Sequence, residues 1–167
     1  MKLTLEQALN KYQNNVYKAA FYICGNPEDA EDIAQEVFLA YYNTGTDFAS
    51  EEHIRLWLLK VAVNKARNLK KSFWTKRRID ILHFTEWLEA HTQEQAVEYD
   101  DESIELIKAV MSLPEKCRIA VHLFYYEDYS VKQIAGVMGV KENTVKAHLH
   151  RGRTLLKSML KEKWENE

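Results

Sequence analysis

The sequence predicts an all-α protein of two small helical domains joined by an acidic linker, the C-terminal one a helix-turn-helix. Three observations carry that prediction. The chain holds only 5 glycines and 2 prolines in 167 residues, too few turn formers for the many tight reversals of a β fold. No segment sustains the polar–apolar alternation of a strand, whereas apolar residues recur at three- and four-residue intervals through most of the length. Charge is also sorted. Residues 1–78 carry 12 Lys+Arg against 9 Asp+Glu, residues 79–105 carry 9 acidic and no basic residues, and residues 106–167 carry 11 basic against 7 acidic. The net charge of −2 therefore conceals two mildly basic blocks around a purely acidic segment. Such asymmetry fits polyanion contact at both ends, and equally fits basic helix faces that are merely solvated.

In the first block, Leu5, Leu9, Tyr12, Val16, Ala19, Ala20 and Ile23 share one helical stripe. Gly25-Asn26-Pro27 ends that helix and starts the next, with Asn26 as N-cap, Pro27 at the first helical position, and Glu28 and Asp29 at the positive end of the dipole. This second helix runs to about Tyr42 and buries Ala30, Ile33, Ala34, Val37, Phe38 and Tyr41. A loop over Asn43–Ala49 follows. Ser50 caps a long third helix from about Glu51 to Trp74. The acidic stretch then reads as a linker in its second half, Ala90–Glu102, which is poor in large apolar residues. Its first half, with Ile79, Leu82, Phe84, Trp87 and Leu88, has the makings of a short amphipathic docking turn.

The second block begins near Ser103 and is broken at Leu113-Pro114, since a residue before proline disfavours helix. A helix from Glu115 to about Tyr126 follows. Ser130 caps a short helix, Val131–Met138. Gly139 supplies the turn, and a last helix runs from near Glu142 to about Leu160. Val131–Leu149 has helix-turn-helix spacing: Ala135 is small where two helices approach, Gly139 takes the left-handed conformation, and Ile134, Met138, Val140, Val145 and Leu149 form the seam. The second helix then faces Asn143, Thr144, Lys146, Ala147, His148, His150, Arg151 and Arg153 outward. Such a helix fits the DNA major groove, its N-terminal residues over base edges and its cations on phosphates. Four or five phosphate contacts would give log K a slope of roughly −4 against log salt. A plain helical hairpin with a solvated basic face is the alternative.

The stretch Asn26-Pro27-Glu28-Asp29-Ala30-Glu31-Asp32-Ile33-Ala34-Gln35-Glu36-Val37-Phe38 resembles the second conserved region of extracytoplasmic-function (ECF) sigma factors, the smallest members of the bacterial sigma-70 class. Trp57-Leu58 and Val61-Ala62-Val63-Asn64 resemble the promoter-melting helix of the same domain. Leu113-Pro114, Ile134-Ala135, Thr144-Val145-Lys146 and Arg151-Gly152-Arg153 resemble the C-terminal helix-turn-helix domain. The resemblance covers essentially the whole chain, in order. It implies a domain at 1–78 that grips the β′ clamp helices of core RNA polymerase and melts the −10 element. It implies a linker at 79–102, and a domain at 103–167 that reads the −35 element and meets the β flap. It also implies promoter DNA and an anti-sigma factor as partners.

The resemblance assigns polymerase binding to Asp32, Gln35, Glu36 and Phe38. Asp32, Gln35 and Glu36 share one helix face opposite Ile33, Val37 and Tyr41, an acidic and amide-bearing surface suited to a basic helical partner. The −10 contacts fall on Lys60, Asn64, Arg67, Asn68 and Lys71. Asparagine is unfavourable mid-helix, so a pair at i, i+4 has a reason in its amides, which can bond exposed base edges while Arg67, Lys70 and Lys71 hold the strand backbone. The loop Gly45–Glu52 is placed to wall a pocket for an unstacked base. Trp57 reads first as core, and Phe73 and Trp74 as core, docking or base-stacking residues. The −35 contacts fall on Asn143, Thr144, Lys146, Ala147, His148 and Arg151. Two departures from the family pattern stand out. Ala147 replaces a common Ser, removing one base contact. Gly152 replaces the usual Ala; glycine costs roughly 0.8–1.0 kcal/mol in a helix interior, so the recognition helix is expected to weaken there and loosen Arg153.

Ile79–Glu102 reaches at most about 80 Å when extended. Promoter elements about 25 base pairs apart are separated by roughly 85 Å, so a largely extended linker bridges them once domain widths are allowed for. Its carboxylates repel DNA, and it is expected to follow a basic polymerase channel. Free protein should accordingly bind duplex promoter DNA poorly. Hydrophobic residues at 46% and charged residues at 29% are ordinary globular composition. No run of 18 apolar residues occurs, which argues against membrane insertion. Cys24 and Cys117 are too few for a disulfide framework, read as buried fillers, and fit a cytoplasmic, reducing compartment. No phosphate loop, serine elbow or HExxH is present, and His148 and His150 point to different helix faces, so neither enzyme activity nor a metal or other cofactor is expected. Two other classes remain: a helix-turn-helix regulator that acts on duplex DNA without polymerase, and a purely protein-binding helical module.

Overall fold

The computed structural model describes residues 1–72, 86 and 101–165. Phe73, Trp74 and the linker and docking turn expected over 79–102, apart from residues 86, 101 and 102, lie outside the described residues. Seven helices are described: α1 (Leu5–Cys24), α2 (Pro27–Asn43), α3 (Glu51–Ser72), α4 (Asp101–Met111), α5 (Glu115–Tyr125), α6 (Val131–Met138) and α7 (Glu142–Glu165). They fall into two compact units, Met1–Asp80 and Ile81–Glu167. No helix among the described residues is long and apolar enough to cross a membrane.

In the first unit the described helix starts, and the end of α1, are set by local hydrogen bonds. Thr4 and Gln7 form a capping box at the start of α1: the Gln7 amide donates to Thr4 Oγ1 at 3.2 Å, and the Thr4 amide to Gln7 Oε1 at 2.9 Å. Gly25 ends α1 in the left-handed region at φ 70°, its amide bonding the Phe21 carbonyl. Asn26 Oδ1 accepts from the Asp29 amide at 2.9 Å, and Pro27 opens α2. Ser50 Oγ accepts from the His53 amide at 3.1 Å, and His53 Nδ1 accepts in return from the Ala49 amide at 3.0 Å. The three helices pack on one another pairwise. All six residues expected to be buried on α2 are buried. On α1 the burial is displaced towards the C-terminal end: Tyr17, Phe21 and Tyr22 join Val16, Ala19, Ala20 and Ile23 in the core, while Leu5, Leu9 and Tyr12 are only half-buried. Burial in the C-terminal part of α1 exceeds one stripe, as in a helix packed against two neighbours.

In the second unit α7 packs against α4, α5 and α6. Arg118, on α5 and almost fully buried, donates from Nη1 to the Met111 carbonyl at 2.9 Å, closing the end of α4. Ser130 and Gln133 form a capping box on α6. Gly139 ends α6 at φ 69°, with its amide and that of Val140 both bonding the Ala135 carbonyl. The αL residue and the small Ala135 are thus the two features that let α7 turn back across α6. The weakening expected at Gly152 is not found. The helix continues unbroken to Glu165, because Gly152 is buried where α7 crosses α5. A Cβ there would lie 2.8 Å from Val121 Cγ2 and 3.6 Å from Cys117 Cβ. Arg153, next along, is held by a bond from Nη1 to the Tyr125 hydroxyl at 3.2 Å.

Two glycine substitutions should therefore move stability in opposite directions. At Gly136, exposed within α6, a Cβ meets nothing within 4 Å, and Gly136→Ala should stabilise the unit by about 0.5–1 kcal/mol. Gly152→Ala gains similar propensity, but buried Val121 is β-branched and cannot swing aside freely. An overpacking cost of about 1–3 kcal/mol should leave it net destabilising. Native-state hydrogen exchange on amides of α5, α6 and α7 in the full chain reads both effects.

Candidate nucleic-acid interface

The geometry of α2 divides cleanly. Ile33, Ala34, Val37 and Tyr41 are buried, and Asp32, Gln35 and Glu36 are exposed together on the opposite side. The sequence reading places Phe38 both in the buried stripe and among the polymerase contacts, and the second assignment is corrected: it is only 4% exposed and belongs to the core, so its ring offers no contact surface on the acidic face. In its place the structure puts Leu39 and Tyr42 outward, at 61% and 63% exposure. Positions 32, 35, 36, 39 and 42 follow the same three- and four-residue steps. Leu39 and Tyr42 have no role in the sequence reading, although counting along that stripe was enough to find them. Lys65 on α3 approaches Glu36 at 3.6 Å, a surface pair of small energetic weight.

On α3, Ile54, Leu58, Leu59, Ala62, Val63 and Ala66 are buried, which turns Lys60, Asn64 and Asn68 to solvent with Arg67 half-buried beside them. The side chains of Lys70 and Lys71 lie outside the described residues. Trp57 is half-buried, its ring edge-on to Phe48 at 5.8 Å and to Tyr41 at 6.2 Å. It anchors the loop between α2 and α3 to the first half of α3. Phe48 itself is 1% exposed, in contact with Tyr41, His53 and Trp57.

On α7, Val145 and Leu149 are buried against Ile134, Ala135 and Met138, with Val140 half-buried. The face this leaves open holds Asn143, Lys146, Ala147, His150, Arg151 and Arg153, all exposed, with Thr144 half-buried. His148 is the exception and a second correction. It is half-buried, and its Nε2 is sealed from solvent without a hydrogen-bond partner. That nitrogen cannot reach a base or a phosphate. Burial, and then the charges of Lys116 and Arg151, push its pKa below the usual histidine value. The cations available on the open face are Lys146, Arg151 and Arg153. Of the two cysteines, Cys117 is buried against the Gly152 crossing and Cys24 is half-buried.

Comparison with known proteins places both units. The family described as "Sigma-70 region 2" matches residues 8–77, and "Sigma-70, region 4" matches residues 103–156. Among characterised relatives, the ECF RNA polymerase sigma factor SigW of Bacillus subtilis is 28% identical over 163 residues, covering 90% of this chain and 86% of its own length. RNA polymerase sigma factor SigV of the same organism is 26% identical over 159 residues, covering 95% of this chain and 92% of its own. Two solved structures share the fold at TM-score 0.68. One is the sigma factor RpoE of Bartonella quintana, in complex with the anti-sigma factor NepR, at 18% identity over 93% of this chain and 96% of its own. The other is CnrH in complex with the cytosolic domain of CnrY, at 21% identity over 94% and 87%. With both regions present in order on successive helical units, and with relatives of one class matched over most of their length, the chain belongs to the ECF group of the sigma-70 family of RNA polymerase sigma factors.

Proposed function

We propose that this sigma factor joins core RNA polymerase through its first unit, opens the −10 element along α3, and reads the −35 element with α7. Domain limits of 1–78 and 103–167, with 79–102 as the linker, suit this division. The observation that supports it most is that each of these helices buries its apolar stripe and turns outward the residues the work needs. On α2 these are Asp32, Gln35 and Glu36, joined by Leu39 and Tyr42 as apolar anchors, a mixed face fitted to basic helices such as the β′ clamp helices. On α3, Lys60, Asn64, Arg67 and Asn68 combine amides for base edges with cations for the strand backbone, and the sequence adds Lys71 to the cations. On α7, Asn143, Thr144 and Ala147 stand at the N-terminal end, where a recognition helix meets base edges, and Lys146, Arg151 and Arg153 stand at phosphate positions.

The chain does no covalent chemistry on this reading and works in the cytoplasm beside polymerase and promoter. Its acidic segment follows a basic polymerase channel rather than DNA, because carboxylates repel phosphate. The β flap meets the second unit, and an anti-sigma factor holds the protein in reserve, as in the complex formed by the Bartonella quintana neighbour. Run-off transcription from a genomic promoter library, with purified core polymerase, tests the whole. Initiation should concentrate at a small set of starts, and initiation no more selective than that of core polymerase alone would overturn the proposal.

Two further outcomes are expected. Gln35→Ala with Glu36→Ala should weaken core-polymerase binding by roughly tenfold or more, the scale of two lost charge-assisted contacts. Both side chains are exposed, so the melting temperature should hold; unchanged affinity in a pull-down would remove the assignment. His148 should titrate below 6.5 by NMR, and Lys116→Gln should raise it. A histidine whose folded pKa is depressed stabilises the fold above its unfolded pKa and loses that contribution as pH falls through the folded value. The second unit should therefore weaken as pH drops below about 6.5, and His148→Gln should flatten that dependence.

A further inference from the structure

The connection between α2 and α3, residues 44–50, contains no helix or strand. If α3 opens the −10 element as proposed, this loop, which adjoins it in sequence, would wall the pocket for an unstacked base, and its conformation would matter to promoter choice. One side of the loop is fixed by Phe48, buried among Tyr41, His53 and Trp57. The other side would be free to vary. Gly45 lies within it, and a Cβ added there meets nothing within 4 Å.

The segment ahead of α1 closes that side. Lys2 Nζ donates to the Thr44 carbonyl at 2.8 Å and to the Tyr42 carbonyl at 3.3 Å, and lies 5.2 Å from the centre of the Tyr41 ring. The Tyr41 hydroxyl donates to the Leu3 carbonyl at 2.7 Å, and the Phe48 amide donates to the Met1 carbonyl at 3.2 Å. These four bonds join residues about forty positions apart, and each ends on the loop or on the last turn of α2. Their electrostatics are directed. The first turn of α2 carries Glu28 and Asp29, but its last turn carries no basic residue. Lys2 supplies from elsewhere in the chain the cation that the negative end of the helix dipole favours, and it satisfies carbonyls left open at the helix terminus.

We infer that residues 1–3 are a positioning brace for the 44–50 loop, with Lys2 and Tyr41 as the residues that set −10 selectivity without touching DNA. The inference rests on the proposed −10 role of α3, and the experiment separates the two. Run-off transcripts are selected from two promoter libraries, one randomised over the −10 region and one over the −35 region. Lys2→Ala combined with Tyr41→Phe should lower enrichment of the preferred −10 bases about fivefold, the scale of one net hydrogen bond. Enrichment at −35 should stay within about twofold, since α7 shares no partners with the brace, and so should affinity for core polymerase, since Lys2 meets only the backbone carbonyl of Tyr42 and leaves its exposed side chain in place. Lys2→Arg, which keeps a cation and donor, should retain −10 selectivity when Tyr41 is intact. Hydrogen exchange at the Phe48 amide should quicken in the double variant.

If −10 selectivity is unchanged in the double variant but falls in Asn64→Ala with Asn68→Ala, the brace is overturned and the −10 role of α3 survives. If the asparagine variant also leaves it unchanged, that role fails and the inference with it. If −10 selectivity, −35 selectivity and core affinity all fall together in the double variant, Lys2 and Tyr41 serve only general stability, and a positioning role is excluded.

Discussion

A helix in a three-helix unit of this size can bury only part of its circumference, and that geometric limit governs both the core and the working surfaces. Successive residues on a helix are separated by 100°, so committing Ile33, Val37 and Tyr41 to the inside of α2 commits Asp32, Gln35, Glu36, Leu39 and Tyr42 to the outside. The same holds on α3, where buried Ile54, Leu58, Leu59 and Val63 leave Lys60, Asn64 and Asn68 exposed. Each large apolar side chain taken from water contributes about 1.5–3 kcal/mol. Several on one stripe hold the helix in rotation far more firmly than any surface contact could. The orientation of the functional faces is thus a consequence of core packing.

The second unit applies the same limit to a longer helix with three neighbours. Only the first half of α7 can serve as a recognition element, because its face towards α5 is spent on close packing at Gly152. What a glycine loses in helix propensity is offset there by the approach of two backbones, and Tyr125 secures the adjacent Arg153. Arg118 completes the frame from the opposite end of α5 by closing the carbonyls of α4. The helix-turn-helix is therefore braced behind the face it presents, which gives the proposed recognition residues a rigid support.

Much of this was legible in the sequence, for reasons that separate local from tertiary causes. Asn26-Pro27, Ser50, Ser130 and Gly139 set boundaries through bonds to residues three or four positions away. A cap needs no knowledge of the fold, so these boundaries could be read in advance. Thr4 with Gln7 carried the same kind of signal. Leu5, Leu9 and Tyr12 had the right period, yet are only half-buried, because periodicity gives a face and not the length over which a neighbour covers it. Gly152 read as a defect, since propensity is local and the approach of Val121 is not. His148 read as outward because its place on the helix wheel did not reveal Lys116 and α5 behind it. The brace of residues 1–3 on the loop was invisible for the same reason: its partners are about forty residues apart.

The exposure of Leu39 and Tyr42, to which the sequence reading assigns no role, bears most directly on function. Large apolar residues at 61% and 63% exposure gain nothing from the fold that carries them. They stand on the stripe of Asp32, Gln35 and Glu36, whose charge keeps the surface hydrated and discourages self-association. A purely acidic face would orient a basic partner and speed its arrival, but screening by salt would limit its hold. A purely apolar face would hold tightly with little directional preference. On the function proposed, the mixture divides the work: the carboxylates and amide would set the register of the partner, and Leu39 and Tyr42 would supply the dry contact that keeps it in place. Position on the helix, and not residue type, was the more reliable guide to which apolar side chains belong to the core and which belong to a partner.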